Sequence, residues 1–181
     1  MTVLNLTSQG LSGTITPSIG NLTFLRILDL SSNKLQGEIP VSVDQLPQLQ
    51  HFNLTNNMLH GEITTQLKNC TSLERIELDS NFFTGEIPAW LGGLPLKVIN
   101  LRKNNFTGVI PESLGNLSSL QEINFARNEL EGTIPEGLGG LNSLMFVDLG
   151  ENHFSGIIPK AISKELFLKH SSTFPHLYNS E

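Results

Sequence analysis

The stretch Leu25 to Pro40, LRILDLSSNKLQGEIP, constrains the fold more than any other part of the chain. Apolar Leu28 and Leu30 alternate with polar Asp29 and Ser31, the two-residue period of a strand with one buried face. Asn33 then ends the strand, and Gly37 lets the backbone turn where a side chain would clash. This spacing recurs. Asn33, Asn57 and Asn81 stand 24 residues apart, Asn104 follows after 23, and Asn128 and Asn152 after 24 each. The short step has a local cause, because Leu94-Pro95-Leu96 holds one residue fewer than Leu141-Asn142-Ser143-Leu144. The glycines keep the same register at Gly13, Gly37, Gly61, Gly85, Gly108, Gly132 and Gly156, and Gln9 takes the first asparagine slot. Seven repeats therefore run from about Thr2 to Pro159. A unit this short cannot bury its apolar face alone, so the copies must stack with their strands side by side.

Each repeat is predicted to run as strand, asparagine turn, a second short strand around G-x-I-P, and a short helical or 3₁₀ turn. Ile19-Gly20-Asn21-Leu22 and Leu114-Gly115-Asn116-Leu117 are two such turns. The single cysteine, Cys70, falls in the slot that Leu22, Leu46, Leu94, Leu117 and Leu141 fill elsewhere, and reads as a small buried hydrophobe. Beyond Pro159 the pattern runs down. Ile162 and Leu168 keep register, but Glu165 stands where a leucine is required. The repeat domain is set at residues 2–168, closed by a helix-like turn over Lys160 to Lys169, with a loose tail over 169–181.

Composition excludes several functions. With 11 basic against 17 acidic residues and a formal net charge of −6, the chain carries no electrostatic footprint for nucleic acid and no basic tail for a membrane surface. No apolar run approaches the ~20 residues of a spanning helix. Met1 opens directly into the first strand, so a secreted protein would be represented here in a mature or excised form. His51, His60, His153, His170 and His176 show no metal-ligand spacing, and no C-x-x-C, G-x-S-x-G or phosphate-binding G-x-x-x-x-G-K occurs. No cofactor, no metal and no enzymatic activity are expected.

The period and the G-x-I-P endings, Gly37-Glu38-Ile39-Pro40, Gly85-Glu86-Ile87-Pro88 and Gly132-Thr133-Ile134-Pro135, resemble plant-type leucine-rich repeats. Such repeats are found in ectodomains of receptor-like kinases and receptor-like proteins, and in polygalacturonase-inhibiting proteins. GTITPSIGNLTFLRILDLSSN is similar to the first repeats of cereal immune-type receptor kinases. The resemblance implies a β-rich α/β solenoid, a curved right-handed superhelix with a parallel concave sheet. It implies an asparagine side chain bonded to the turn backbone, a column from which Gln9 departs at one end. It also implies an extracellular recognition module whose partners are a peptide or protein ligand and/or a co-receptor leucine-rich repeat kinase. The paired cysteines that cap such receptors are absent, which suggests a truncated member with uncapped ends open to self-association through the apolar edge at Leu4 and Leu6. An inhibitor of a microbial wall-degrading enzyme and an ice-binding protein are the alternative expectations. The second needs a regular Thr or Ser array, which Glu77, Arg102 and Ala126 interrupt.

Six N-x-S/T sequons, at Asn5, Asn21, Asn53, Asn69, Asn105 and Asn116, fit an extracellular glycoprotein. Asn21, Asn69 and Asn116 share an outer-loop position, whereas Asn5 and Asn53 point from strands. If the strands lie side by side, Arg75, Glu77, Asp79, Arg102, Lys103, Glu122, Arg127, Phe146 and Asp148 face the concave side and form the candidate ligand site. Glu77 and Asp79 are expected as an acidic spot beside a basic one of Arg102, Lys103 and Arg127, with Phe146 as an exposed aromatic. Seven strands at ~4.8 Å spacing and a strip about 20 Å wide offer roughly 600 Å², below the ~800 Å² per partner of a standard interface. Weak binding follows.

Overall fold

The computed structural model describes residues 2–159 of the chain. Two parallel seven-stranded sheets run the length of the stack. The first holds Val3–Asn5, Ile27–Asp29, His51–Asn53, Arg75–Glu77, Val98–Asn100, Glu122–Asn124 and Phe146–Asp148. The second holds Ser12–Gly13, Lys34–Gly37, Met58–Glu62, Phe82–Glu86, Asn105–Gly108, Glu129–Gly132 and His153–Phe154. In every pair the neighbours come from adjacent repeats, as stacking requires. The five inner second strands begin just after the asparagine and end at or just past the glycine, so they lie earlier in the repeat than the G-x-I-P reading placed them.

The two sheets keep different registers. In the first, Leu4 faces Leu28 and Leu28 faces Phe52, one full repeat apart. In the second, Gln36 faces Met58 and His60 faces Phe82, a shift of 22 residues. This ladder slips by two residues at each turn of the solenoid. A slip of two keeps the in–out alternation of side chains in phase, whereas a slip of one would turn every apolar side chain outward.

Among the described residues five 3₁₀ turns return the chain, at Pro17–Asn21, Val41–Gln45, Ala89–Gly93, Glu112–Asn116 and Glu136–Gly140. The third repeat, where Thr64 stands in place of proline, has no such helix. There Gln66 is buried, its Nε2 donating to the Glu62 carbonyl at 3.2 Å, and the Trp90 indole donates to the Thr64 carbonyl at 2.6 Å. The core is one continuous column of side chains between the sheets and the turns, with Phe52, Phe83, Phe106 and Phe125 wholly enclosed. Phe83 and Phe106 stack with ring centroids 6.4 Å apart. Cys70 is fully buried as expected. Its Sγ donates to the Val43 carbonyl, and burial followed by the nearby Asp44 charge pushes the thiol up to about 12. Leu4 and Leu6, expected at an open edge, are half-buried against the core. The expected closing turn and tail over 160–181 lie outside the described residues.

The asparagine column ties adjacent repeats together. Asn81 Nδ2 donates to the carbonyls of Leu78 and Asp79 in its own turn and of Leu54 one repeat earlier. Its Oδ1 accepts from the Leu59 N–H. Asn57, Asn104 and Asn128 repeat the arrangement. Backbone groups that the turn would bury unpaired thereby gain partners.

Candidate recognition surface

One face of the first sheet packs on the core and the other carries the polar side chains that alternate with Leu28, Phe52, Ile76, Ile99 and Ile123. Register pairing lines these up in columns running along the stack, so Asn5, Asp29, Asn53, Glu77, Asn100, Asn124 and Asp148 stand side by side. Two residues further on, Thr7, Ser31, Thr55, Asp79, Arg102, Ala126 and Gly150 form a second column. The next position, Ser8, Ser32, Asn56, Ser80, Lys103, Arg127 and Glu151, is the left-handed residue of every turn, with φ between 54° and 61°. Side chains other than glycine and asparagine are strained there by ~1–2 kcal/mol. The turn imposes the conformation on Lys103, Arg127 and Glu151 alike.

The structure redraws the charge pattern expected from sequence. Glu77 is not a bare acidic spot. Its carboxylate is joined to His51 Nε2 on one oxygen and to Arg75 Nη2 at 2.9 Å on the other. Burial alone would raise the Glu77 carboxyl, but the hydrogen bonds from His51 and Arg75 outweigh it and hold the group below its ordinary range. Asp79 accepts from Thr55 Oγ1 at 2.6 Å and from Asn100 Nδ2 at 3.2 Å. Asp29 accepts from Ser31 and from Asn53 Nδ2, and the hydrogen bonds from Ser31 lead in lowering its carboxyl against the effect of burial. Arg127 is no part of a bare basic spot either, since its Nε donates to Glu151 at 2.8 Å. That pair is largely exposed and contributes at most ~1 kcal/mol.

Among the described residues, the side chains of Arg102, Lys103 and Glu122 make no hydrogen bond or ion pair. Among the described residues the Asp148 carboxylate accepts only from the Gly150 N–H. Phe146, expected exposed, is half-buried, and Val98 in the same column is buried between Arg75 and Glu122. Of the nine candidate residues, Arg75, Glu77, Glu122, Phe146 and Asp148 lie on strands of the first sheet and Asp79, Arg102, Lys103 and Arg127 in the turns that follow, and they do not form the two opposed charge spots. Sequence reading left out of the site His51, Asn53, Thr55 and Asn100, which fix the carboxylates. Their column positions were legible, but the side-chain directions that join residues 21 to 26 positions apart were not.

Five of the six sequon asparagines are exposed and Asn53 is half-buried in this network. Asn69 is held by Asp44, whose carboxylate accepts from both its backbone N–H and its side-chain amide at 2.6 Å. Among the described residues no group of three or more His, Cys, Asp or Glu side chains is placed to hold a metal ion, and no helix is long and apolar enough to cross a membrane.

A leucine rich repeat family model matches residues 1–59 and 95–154, and a second leucine rich repeat model matches residues 72–94. No curated protein matches the sequence. Among solved structures, the chain is similar to the Arabidopsis receptor kinase HAESA in complex with the peptide hormone IDA and the co-receptor SERK1, with 35% identity and a TM-score of 0.85 over 89% of this chain and 27% of that one. It is similar to PEPR1–AtPEP1, with 36% identity and a TM-score of 0.84 over 88% of this chain and 22% of that one. Pollen Receptor Kinase 3 matches at 33% identity and a TM-score of 0.77, over 86% of this chain and 76% of that one. The chain spans about a quarter of the length of the first two of these. Repeat spacing, two parallel ladders, the asparagine column and these likenesses agree, and the chain belongs to the leucine-rich repeat family, with repeats of the kind that build plant receptor-kinase ectodomains.

Proposed function

We propose that this chain is a non-catalytic ligand-recognition module of a plant cell-surface receptor, acting outside the plasma membrane. Its ligand is a peptide or a short protein segment, met on the exposed face of the first sheet, with a co-receptor leucine-rich repeat kinase as a further partner. The observation that carries the reading is that face itself. It is a continuous sheet of aligned polar columns, in a fold shared with receptor ectodomains solved together with peptides. A peptide suits the available area better than a globular partner, because ~600 Å² falls short of a standard protein interface. Exposed Asn5, Asn21, Asn69, Asn105 and Asn116 are the proposed glycan carriers, since a sugar on any of them stands in solvent.

The test is selection from a random peptide library displayed on phage, with the purified chain as bait and an unrelated solenoid as the control. Enrichment of sequences that bind the chain saturably, and not the control, is the expected result. Failure to enrich any sequence would overturn the reading.

A further inference from the structure

We propose that the ligand sits on the part of the sheet from Arg102 to Asp148, and that this part fits an extended peptide segment bearing opposite charges four residues apart. The inference rests on the recognition reading above.

Side-chain partners are spread unevenly over the face. From Thr7 to Asn100 the repeats are stitched together by bonds such as Ser31 to Thr7, Asn53 to Asp29, Thr55 to Asp79 and Asn100 to Asp79. A ligand docking there must first break contacts that the sheet already makes. Between the strand Val98–Asn100 with its turn through Lys103 and the strand Glu122–Asn124 with its turn through Arg127, no bond joins one side chain to another. A ligand there gains charge-assisted hydrogen bonds in exchange for water without breaking any bond between side chains, which lowers the cost of binding.

The unpaired groups lie at two poles. The Lys103 N–H donates to the Ala126 carbonyl, which sets Arg102 and Lys103 beside Ala126 in the adjacent repeat. Glu122 precedes Ala126 by four residues, about 13 Å at ~3.3 Å per residue. That gap is too long for Glu122 to pair with the cations, so each pole is open to an outside partner. Between them Asn124 uses its Oδ1 on the Ala126 N–H, leaving Nδ2 without a protein acceptor. Ala126 and Gly150 add no bulk beside the cationic pole. An extended segment places side chains i and i+4 on one face at the same ~13 Å spacing. An acidic side chain then meets Arg102 and Lys103, a basic one meets Glu122, and a carbonyl between them meets Asn124.

The test uses peptides from the phage selection, together with synthetic extended peptides carrying Asp and Lys either four residues apart or adjacent. Affinity is measured for the unaltered chain, Arg102→Glu, Glu122→Lys and the double variant, with circular dichroism to check folding. Each single substitution is expected to weaken binding about tenfold or more. The double variant is expected to regain affinity for a peptide whose two charges are exchanged, and spacing by four is expected to outperform adjacency. Selected peptides that ignore both substitutions but lose affinity on Thr55→Val would overturn the assignment while leaving the recognition reading intact. An absence of any selected peptide would overturn that reading itself.

Discussion

At the scale of single residues, Asn81 shows what the repeat demands of one side chain. It serves three carbonyls and one N–H, drawn from two repeats, and is almost fully enclosed. In Asn81→Leu the Leu59 N–H loses its acceptor, while the carbonyls of Leu54, Leu78 and Asp79 keep a second donor each, from Asn57 Nδ2, Asn104 Nδ2 and the Asn56 N–H. A destabilisation of ~1–3 kcal/mol is expected in urea unfolding, the cost of one orphaned buried group. The same change at Asn33, nearer the end and only half-buried, should cost less. Glu77 gives a pH prediction. Its folded-state carboxyl is held below the ordinary 4.5, so its stabilising effect is complete above that value and fades as pH falls through the lowered one. The stability gap between the unaltered chain and Glu77→Gln, followed by thermal melts, should therefore be constant near neutrality and close on acidification. A gap that widened at low pH would contradict the geometry. The asparagine column was legible because one letter keeps one slot. The ties of Glu77 to His51 and Arg75 were not, because they depend on which way side chains lean across adjacent strands.

At the scale of elements, the return turns are packed by glycine. A Cβ on Gly92, inside Ala89–Gly93, would come within 2.3 Å of the Ser113 carbonyl oxygen in the next turn, while one on Gly93 meets nothing within 4 Å. Gly92→Ala is expected to destabilise the chain by ~1–3 kcal/mol through this overpacking. Gly93→Ala should shift the melting temperature little, and equal effects would refute the close approach. The sequence marked these turns by their glycines, yet Gly92 and Gly93 are the same letter and only stacking separates their roles. The two-residue slip of the second sheet was hidden for a similar reason. An alternating pattern is unchanged by a shift of two, so apolar spacing fixes which face is buried but not which residues are neighbours. The first sheet left no such freedom, because its register is set by the asparagine and leucine columns together.

At the scale of the whole molecule, stability and recognition occupy different parts of one surface. A bonded lattice from Thr7 to Asn100 holds the carboxylates of Asp29, Glu77 and Asp79, while further along Arg102, Lys103 and Glu122 have no side-chain partner and Arg127 is paired with Glu151. The architecture, the core columns and the polar columns of the first sheet could be read from the chain, because repetition turns each position into seven observations. The division of that face could not, since it is set by which partners lie within reach after stacking. The most direct measurement of the central idea places a photo-crosslinking amino acid at Asn124, on the exposed face of the first sheet, and separately at Thr84, on the exposed face of the second. Each variant is irradiated with a selected peptide. Crosslinking at position 124 and none at 84 is the predicted result. Crosslinking confined to position 84 would show that the ligand uses the second sheet and would contradict the account.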